Sequence, residues 1–414
     1  MIIDFSVGNY RSFNDVQTLS LKATSLTSPD EKTDDLNIVD VNDTRLLKIV
    51  GIYGANASGK SNIVAALHFF HVMVSRSMES ENIIKQGLNP YRLTSNTLKD
   101  SGFFQIILLL EGRRYRYGFT LSPKFEIDKE WLFGPAEKNE TYYFKREGNQ
   151  ITTNPEYFRE GSGLPLDKVR GNALFLAFCT TYDGPVSKTV RDFITNQMIF
   201  ENTLSPFPML KSGYPFGSGM EKTNQLIADG KKEIVLSYLK DAGLSYNDIS
   251  IEKIELTKDL KYDLIKVSKQ IFDKDDNVTG TTQMDLKTDE SQGTNKFYNY
   301  IGDLYYLFSN GGVFISDEID SNFHPALLKH LISLFQNPKI NVANAQVIFS
   351  SHDVNLMAPD FMRRDQFYFT EKTVYDNTRL YSLADLKGIR NNVDFARHYL
   401  AGFYGALPHL GNLI

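Results

Sequence analysis

A single cysteine, Cys179, excludes an internal disulfide and points to a reducing, cytoplasmic setting. Long apolar runs are also missing. The most apolar, IILLL at 106–110, is far shorter than the roughly 20 residues of a membrane helix. The opening MIIDFSVGNY has an acid at position 4 and leads into no apolar stretch, which excludes a secretory signal. Basic charge is not in excess: 45 Lys and Arg stand against 50 Asp and Glu, for a net charge of −5. Composition therefore does not point to nucleic acid, although a local basic stripe would be hidden in the total. Neither an internal repeat nor coiled-coil heptads occur. What remains is a cytoplasmic protein without a membrane partner, of two to three domains by its 414 residues.

The hydrophobic pattern is that of an α/β protein. Ile3, Phe5 and Val7 alternate with polar residues, as does 17–23, and both read as strands of a half-buried sheet. The polar stretch 27–45 reads as a surface loop. A strand at 47–53, a glycine-rich corner and a helix at 60–78 form a β–loop–α unit, and 103–110, 113–121 and 140–146 add an antiparallel layer. Pro and Gly scatter through 154–220, with helices near 186–200 and 221–241. Strands follow at 248–256, 262–272 and 280–287. The α/β rhythm then returns with helix 292–309, strand 312–316, helix 324–336, strand 345–350, helix 353–358 and strand 366–370. The expected plan is one nucleotide-binding domain split in sequence, 1–150 and 246–414, around an inserted, mostly helical lobe at 151–245.

Four motifs carry chemistry. The corner GANASGKSN at 54–62 has the form G-x-x-x-x-G-K-[ST], with Gly54, Gly59, Lys60 and Ser61. Its glycines let successive backbone N–H groups face one phosphate, and the following helix adds its dipole. Lys60 suits the β- and γ-phosphates, and the Ser61 hydroxyl suits Mg²⁺. In GVFISDEID, 312–320, a buried strand ends in Asp317 and Glu318, where ligands bind in open α/β sheets. One acid can hold a metal and the other can orient water. In QVIFSSHD, 346–353, a parallel strand delivers His352 to the same edge. In ESQGTNKF, 290–297, Ser291, Gly293 and Thr294 open a helix and offer a second anion-binding end, separate from the first. A plain N-cap is the alternative for that motif.

The order of these motifs resembles the ABC-class ATPase heads of the SMC, RecF and OLD group. Within it, the chain is similar to stand-alone AAA-family ATPases related to OLD proteins, found in bacterial phage-defence operons. Further matches are GNYRSF at 8–13, YRYGF at 115–119, IDKEWLF at 127–133, FHP at 323–325 and YLAGFYGALPHL at 399–410. The resemblance implies an ABC-type head, a P-loop core sheet with an antiparallel β layer. It implies ATP and Mg²⁺ as cofactors. Gly54, Ala55, Asn56, Ala57, Ser58, Gly59, Lys60, Ser61 and Asn62 would hold the nucleotide, and Ser61 and Asp317 the metal. Glu318 would be the catalytic glutamate, His352 the switch histidine, and Ser291 with Gly293 the signature acting on ATP of a second subunit. Asp320 and Ser321 fall at the D-loop, and Gln86 and Gln105 are the candidates for the Q-loop glutamine. The implied function is ATP hydrolysis in a homodimer or higher oligomer that controls a separately encoded protein effector in anti-phage defence. A RecF- or SMC-like DNA-repair ATPase is the alternative.

Weaker features read as structural. In RRYRYGF, 113–119, Tyr115, Tyr117 and Phe119 are expected on the core face, with Arg114 and Arg116 in water. DKDDN at 273–277 is expected to be a hairpin turn, and Lys231–Lys232 and Arg363–Arg364 solvated charge.

Overall fold

The computed structural model describes residues 1–80, 82–94, 97–137, 139–201, 219–257 and 260–408. Residues 202–218, part of the expected lobe, and His409 and Leu410 of the tail motif lie outside the described residues. No described helix is long and apolar enough to cross a membrane.

The continuous apolar runs at 49–53, 313–315 and 347–349 become strands buried on both faces, as strands sandwiched between helices must be. They belong to a six-stranded sheet ordered Met198–Glu201, Val313–Ser316, Gln346–Ser350, Ile49–Gly54, Phe367–Lys372, Thr378–Ser382. The first five strands are parallel, and the last is antiparallel to its neighbour. A seven-stranded antiparallel sheet runs from Gln150–Thr153 through Glu140–Glu147, Ile127–Pro135, Arg113–Leu121, Gly102–Leu110 and Ile2–Gly8 to Gln17–Ser20.

Helix Lys60–Arg76 lies between the two sheets. It is buried almost all round, because one side meets Val50, Ile52 and Ile348 and the other meets Phe5, Phe104 and Phe119. Phe70 stacks on Phe119 with ring centroids 5.2 Å apart, and Tyr10 stacks on Phe69 at 5.6 Å. The other face of the parallel sheet is covered by helices Gln292–Asn310, Pro325–Gln336 and Phe395–Leu400. Tyr115, Tyr117 and Phe119 face the core as expected, and Arg116 stays outside, paired with Glu140.

Several expectations are corrected. The stretch 27–45 is not a plain loop. Asp30 caps helix Glu31–Asn37 through the Lys32 N–H at 3.0 Å, and strands Ile38–Val41 and Thr44–Leu47 form a hairpin. Asn42 and Asp43 turn it with φ of 46° and 63°, a left-handed pair that Asn and Asp tolerate. The helix expected at 221–241 breaks into Gly219–Ala228 and Lys232–Asp241, because Gly230 takes φ of 77°. The helix at 353–358 shrinks to a short turn at Val354–Leu356, started by the Asp353 side chain.

Among the described residues, 151–245 do not form a lobe apart from the core. Met198–Glu201 is an edge strand of the parallel sheet, paired with Val313–Ser316. Helix Pro185–Asn196 contributes Val190, Phe193 and Ile194 to the core around the P-loop helix, and Thr223 bonds to helix Gln292–Asn310 through the Tyr298 carbonyl and the Gly302 N–H. Strands Asp248–Thr257, Leu260–Phe272 and Val278–Asp285 form a separate antiparallel sheet that leads through the short helix Leu286–Asp289 to Ser291, with Asp273 closing the expected turn.

Arg363 and Arg364 are not solvated. The Arg363 side chain is 2% exposed and forks onto Asp365 at 2.9 and 2.8 Å, pairs with Asp34, and donates to the Leu26 carbonyl. Arg364 donates to the Ile389 carbonyl at 2.6 Å. The segment 24–34, which includes the start of the expected loop at 27–45, folds over the first of these arginines and supplies Asp34.

Candidate nucleotide site

The carboxyl ends of strands Ile49–Gly54, Val313–Ser316 and Gln346–Ser350 open on one edge of the sheet. A cleft of about 490 Å³ lies there, lined by residues 55–57 and 59–62 together with Glu318 and His352. The three motifs from distant parts of the chain thus meet.

The corner is built for close backbone approach. Gly54 and Gly59 take φ of 148° and 116°, and a Cβ on either would stand 2.5 Å from the Thr370 carbonyl or 2.3 Å from the Thr378 hydroxyl. The corner is also braced from behind. Ser58 and Thr370 share a hydroxyl–hydroxyl bond at 2.6 Å, and Thr378 donates to the Ser58 carbonyl at 2.7 Å. Asn62 donates to the Ser12 hydroxyl at 2.6 Å, while Arg11 reaches the Asn62 side chain at 3.4 Å. The motif GNYRSF therefore supports the corner, with Asn9 and Arg11 turned into the left-handed region at φ of 45° and 50°. The Lys60 ammonium donates to the Gly54 and Ala55 carbonyls at 2.7 and 3.1 Å. Burial pulls its pKa below the ordinary lysine value, and Asp317, Glu318 and Asp320 oppose that pull.

The acid turn is equally constrained. Asp317 is buried and accepts from the Ser350 hydroxyl at 2.5 Å, whereas Glu318 is exposed to the cleft. Glu318 takes φ of 47°, and its N–H donates to the same Ser350 hydroxyl at 2.7 Å. The Asp320 carboxylate accepts the His352 N–H at 3.3 Å, which joins the two strand ends.

Two groups of expected residues stand elsewhere. Ser291 caps helix Gln292–Asn310 by accepting the Thr294 N–H at 3.1 Å, and neither Ser291 nor Gly293 lines the cleft. Gln86 and Gln105 do not line it either; Gln105 accepts from the Trp131 indole at 3.2 Å on the outer sheet. Sequence reasoning did not find Ser350, Thr370 or Thr378, whose hydroxyls carry no motif of their own. Ser350 does stand inside the quoted QVIFSSHD, where no role was assigned to it.

The residues fit a magnesium–nucleotide. The first N–H groups of helix Lys60–Arg76 have no partner inside their own helix, the glycine corner excludes side chains, and Ser61 and Asp317 are hard oxygen donors of the kind Mg²⁺ takes.

Residues 49–168 and 223–358, more than half of the chain, match the family described as "AAA domain, putative AbiEii toxin, Type IV TA system". The chain belongs to this family. The matched residues of the AAA domain contain the glycine corner, Ser291–Thr294, the Asp317–Glu318 pair and His352. The protein is an AAA-family ATPase. Among solved structures, this AAA domain is similar to the SMC head domain from Thermotoga maritima. That alignment covers 92% of this chain and 98% of the other, at 12% identity and a TM-score of 0.39. An Smc head domain with a coiled coil and joint derived from Pyrococcus yayanosii aligns over 97% and 99%, at 9% identity and a TM-score of 0.44. No curated protein sequence matches the AAA domain.

Proposed function

We propose that this ATPase is a dimeric cytoplasmic switch that binds and hydrolyses ATP and controls a separately encoded effector in bacterial anti-phage defence. One observation carries the dimer: Lys60, Ser61, Glu318 and His352 share one cleft, whereas Ser291 and Gly293 lie outside it. A helix start shaped for an anion but absent from its own subunit's cleft fits the nucleotide of a second copy.

In this reading residues 54–62 wrap the phosphates and Lys60 offsets their charge. Ser61 and Asp317 would hold Mg²⁺, which supplies charge neutralisation at the transferred phosphoryl group. Glu318 orients the attacking water and takes its proton, and His352 faces the terminal phosphate from the neighbouring strand. Ser291 and Gly293 of the second copy close the site. The cleft that shares Asn62 and is lined by Arg11, Tyr91 and Lys372, about 370 Å³, takes the rest of the nucleotide. The family description, a putative toxin of a type IV toxin–antitoxin system, supports a role within a two-component system.

The test is Glu318→Gln. ATP turnover falls by about a hundredfold or more, and sedimentation shows dimers with ATP that are absent without it. A monomer under every nucleotide condition contradicts the proposal.

A further inference from the structure

Helix Gln292–Asn310 starts at Ser291, and Lys296 leaves its second turn toward the acid turn of the same subunit. The Lys296 ammonium donates to the Ile319 carbonyl at 3.0 Å, the Ser321 carbonyl at 2.8 Å and the Ser321 hydroxyl at 2.9 Å. Its three donors are therefore all spent on the chain just past Glu318. The Phe323 ring lies 4.7 Å from the nitrogen and the Tyr300 ring 5.7 Å, so part of the ion is shielded from water. Gly293 meets the same segment, since a Cβ there would stand 2.4 Å from the Asn322 carbonyl.

The held segment needs holding. Glu318 sits in the left-handed region, which a residue with a Cβ occupies only when its surroundings impose it. Ser350 restrains it from the strand side, and Lys296 is the restraint from the helix side. Asp320 then passes the constraint to His352 through its N–H. The carboxylates facing Lys296 are Asp320, Glu318 and Glu201, and Glu201 in turn faces Asp303 and Lys222.

We infer that Lys296 is a positioning residue that locks the Glu318 turn to its own Ser291–Thr294 helix start. The link makes a subunit's catalytic turn answer to whether that helix start is docked on the other copy's nucleotide. This second part rests on the function proposed above; the lock itself does not.

Two measurements on Lys296→Met test it. In steady-state ATP turnover, kcat falls by about tenfold or more while KM stays within about twofold. In hydrogen exchange on nucleotide-free protein, the amides of residues 318–323 and His352 exchange faster while strand Gln346–Ser350 keeps its protection. Ser321→Ala, which removes one acceptor of the three, gives an intermediate fall in kcat, of about threefold; it decides the matter if Lys296→Met does not fold. Unchanged exchange across 318–323 in both variants overturns the lock. Faster exchange in a protein whose wild type shows no Glu318-dependent turnover upholds the lock and overturns the proposed function instead. Wild-type kcat in Lys296→Met with a loosened turn overturns its part in positioning.

Discussion

The Ser350 hydroxyl donates to the Asp317 carboxylate at 2.5 Å across two adjacent parallel strands. The same oxygen accepts the Glu318 N–H, so one hydroxyl sets the direction of both acids, burying the first and turning the second out. Ser350→Ala removes the donor while Asp317 stays buried. The expected cost is about 1–3 kcal/mol in urea unfolding, with a fall of about tenfold or more in Mg²⁺-dependent turnover. Wild-type values of both would show that the two acids are held by something else.

Gly59→Ala places a methyl 2.3 Å from the Thr378 hydroxyl at a φ of 116°, inside the corner proposed to wrap the phosphates. ATP binding by calorimetry is expected to be lost. Gly148→Ala is the matching control: its φ is 54°, with nothing within 4 Å, so it carries backbone strain of about 1–2 kcal/mol. Its nucleotide affinity stays at the wild-type level.

Arg363→Met breaks a buried pair and leaves Asp34 and Asp365 without their cation. Loss of about 3–5 kcal/mol is expected in urea melts at neutral pH. The penalty has a pH signature. Burial pushes the Asp34 carboxyl up, but bonds from Ser28 and Arg363 outweigh it and hold it below its ordinary value of 3.8. A depressed carboxyl stabilises the fold fully above that ordinary value and loses the contribution as pH falls through the lower folded one. The gap between wild type and Arg363→Met therefore narrows in acid. An equal gap at pH 7 and near pH 3 contradicts the pairing.

His68 and His71 stack on the P-loop helix with ring centroids 6.3 Å apart, and each meets Phe200 at 5.1 Å. Burial lowers His68 from 6.5 to about 3, helped by His71 and Arg11. Burial likewise lowers His71 to about 4, against the pull of its bond to the Ile194 carbonyl and with help from Arg76. Both rings are neutral in the fold, so the unfolded chain binds more protons below pH 6.5. Stability is full above 6.5 and is lost as pH falls toward the folded values, by something on the order of 3 kcal/mol per ring. His68→Phe keeps the aromatic packing and is expected to flatten the pH 4 to 6.5 slope in denaturant titrations. An unchanged slope contradicts a neutral buried His68.

The glycine corner, the buried strands and the acids at a strand end were legible because each depends on nearest neighbours. A strand's apolar run, a helix's period and a glycine's missing Cβ act within a few residues of themselves. The hairpin at 38–47 was legible in principle from Asn42–Asp43, but the surrounding polarity read as loop. Arg363 was misread because two of the groups that enclose it, Asp34 and the Leu26 carbonyl, stand 329 and 337 positions away in sequence. The expected lobe was misplaced for a related reason: parallel pairing of Met198–Glu201 leaves no mark in the strand itself, and its partner follows more than a hundred residues later.

By itself, the order of residues determined a glycine corner of the phosphate-cradling form, with an acid pair and a histidine at the ends of buried strands. Only the tertiary structure decided which hydroxyls steer those acids, that Arg363 is interior, and that the Ser291 helix start is excluded from its own cleft while Lys296 grips the Glu318 turn. The physical reason is one of range. Backbone preference is spent over a turn or a strand, whereas burial and hydrogen-bond partnership are settled among groups that meet only when two sheets close around helix Lys60–Arg76.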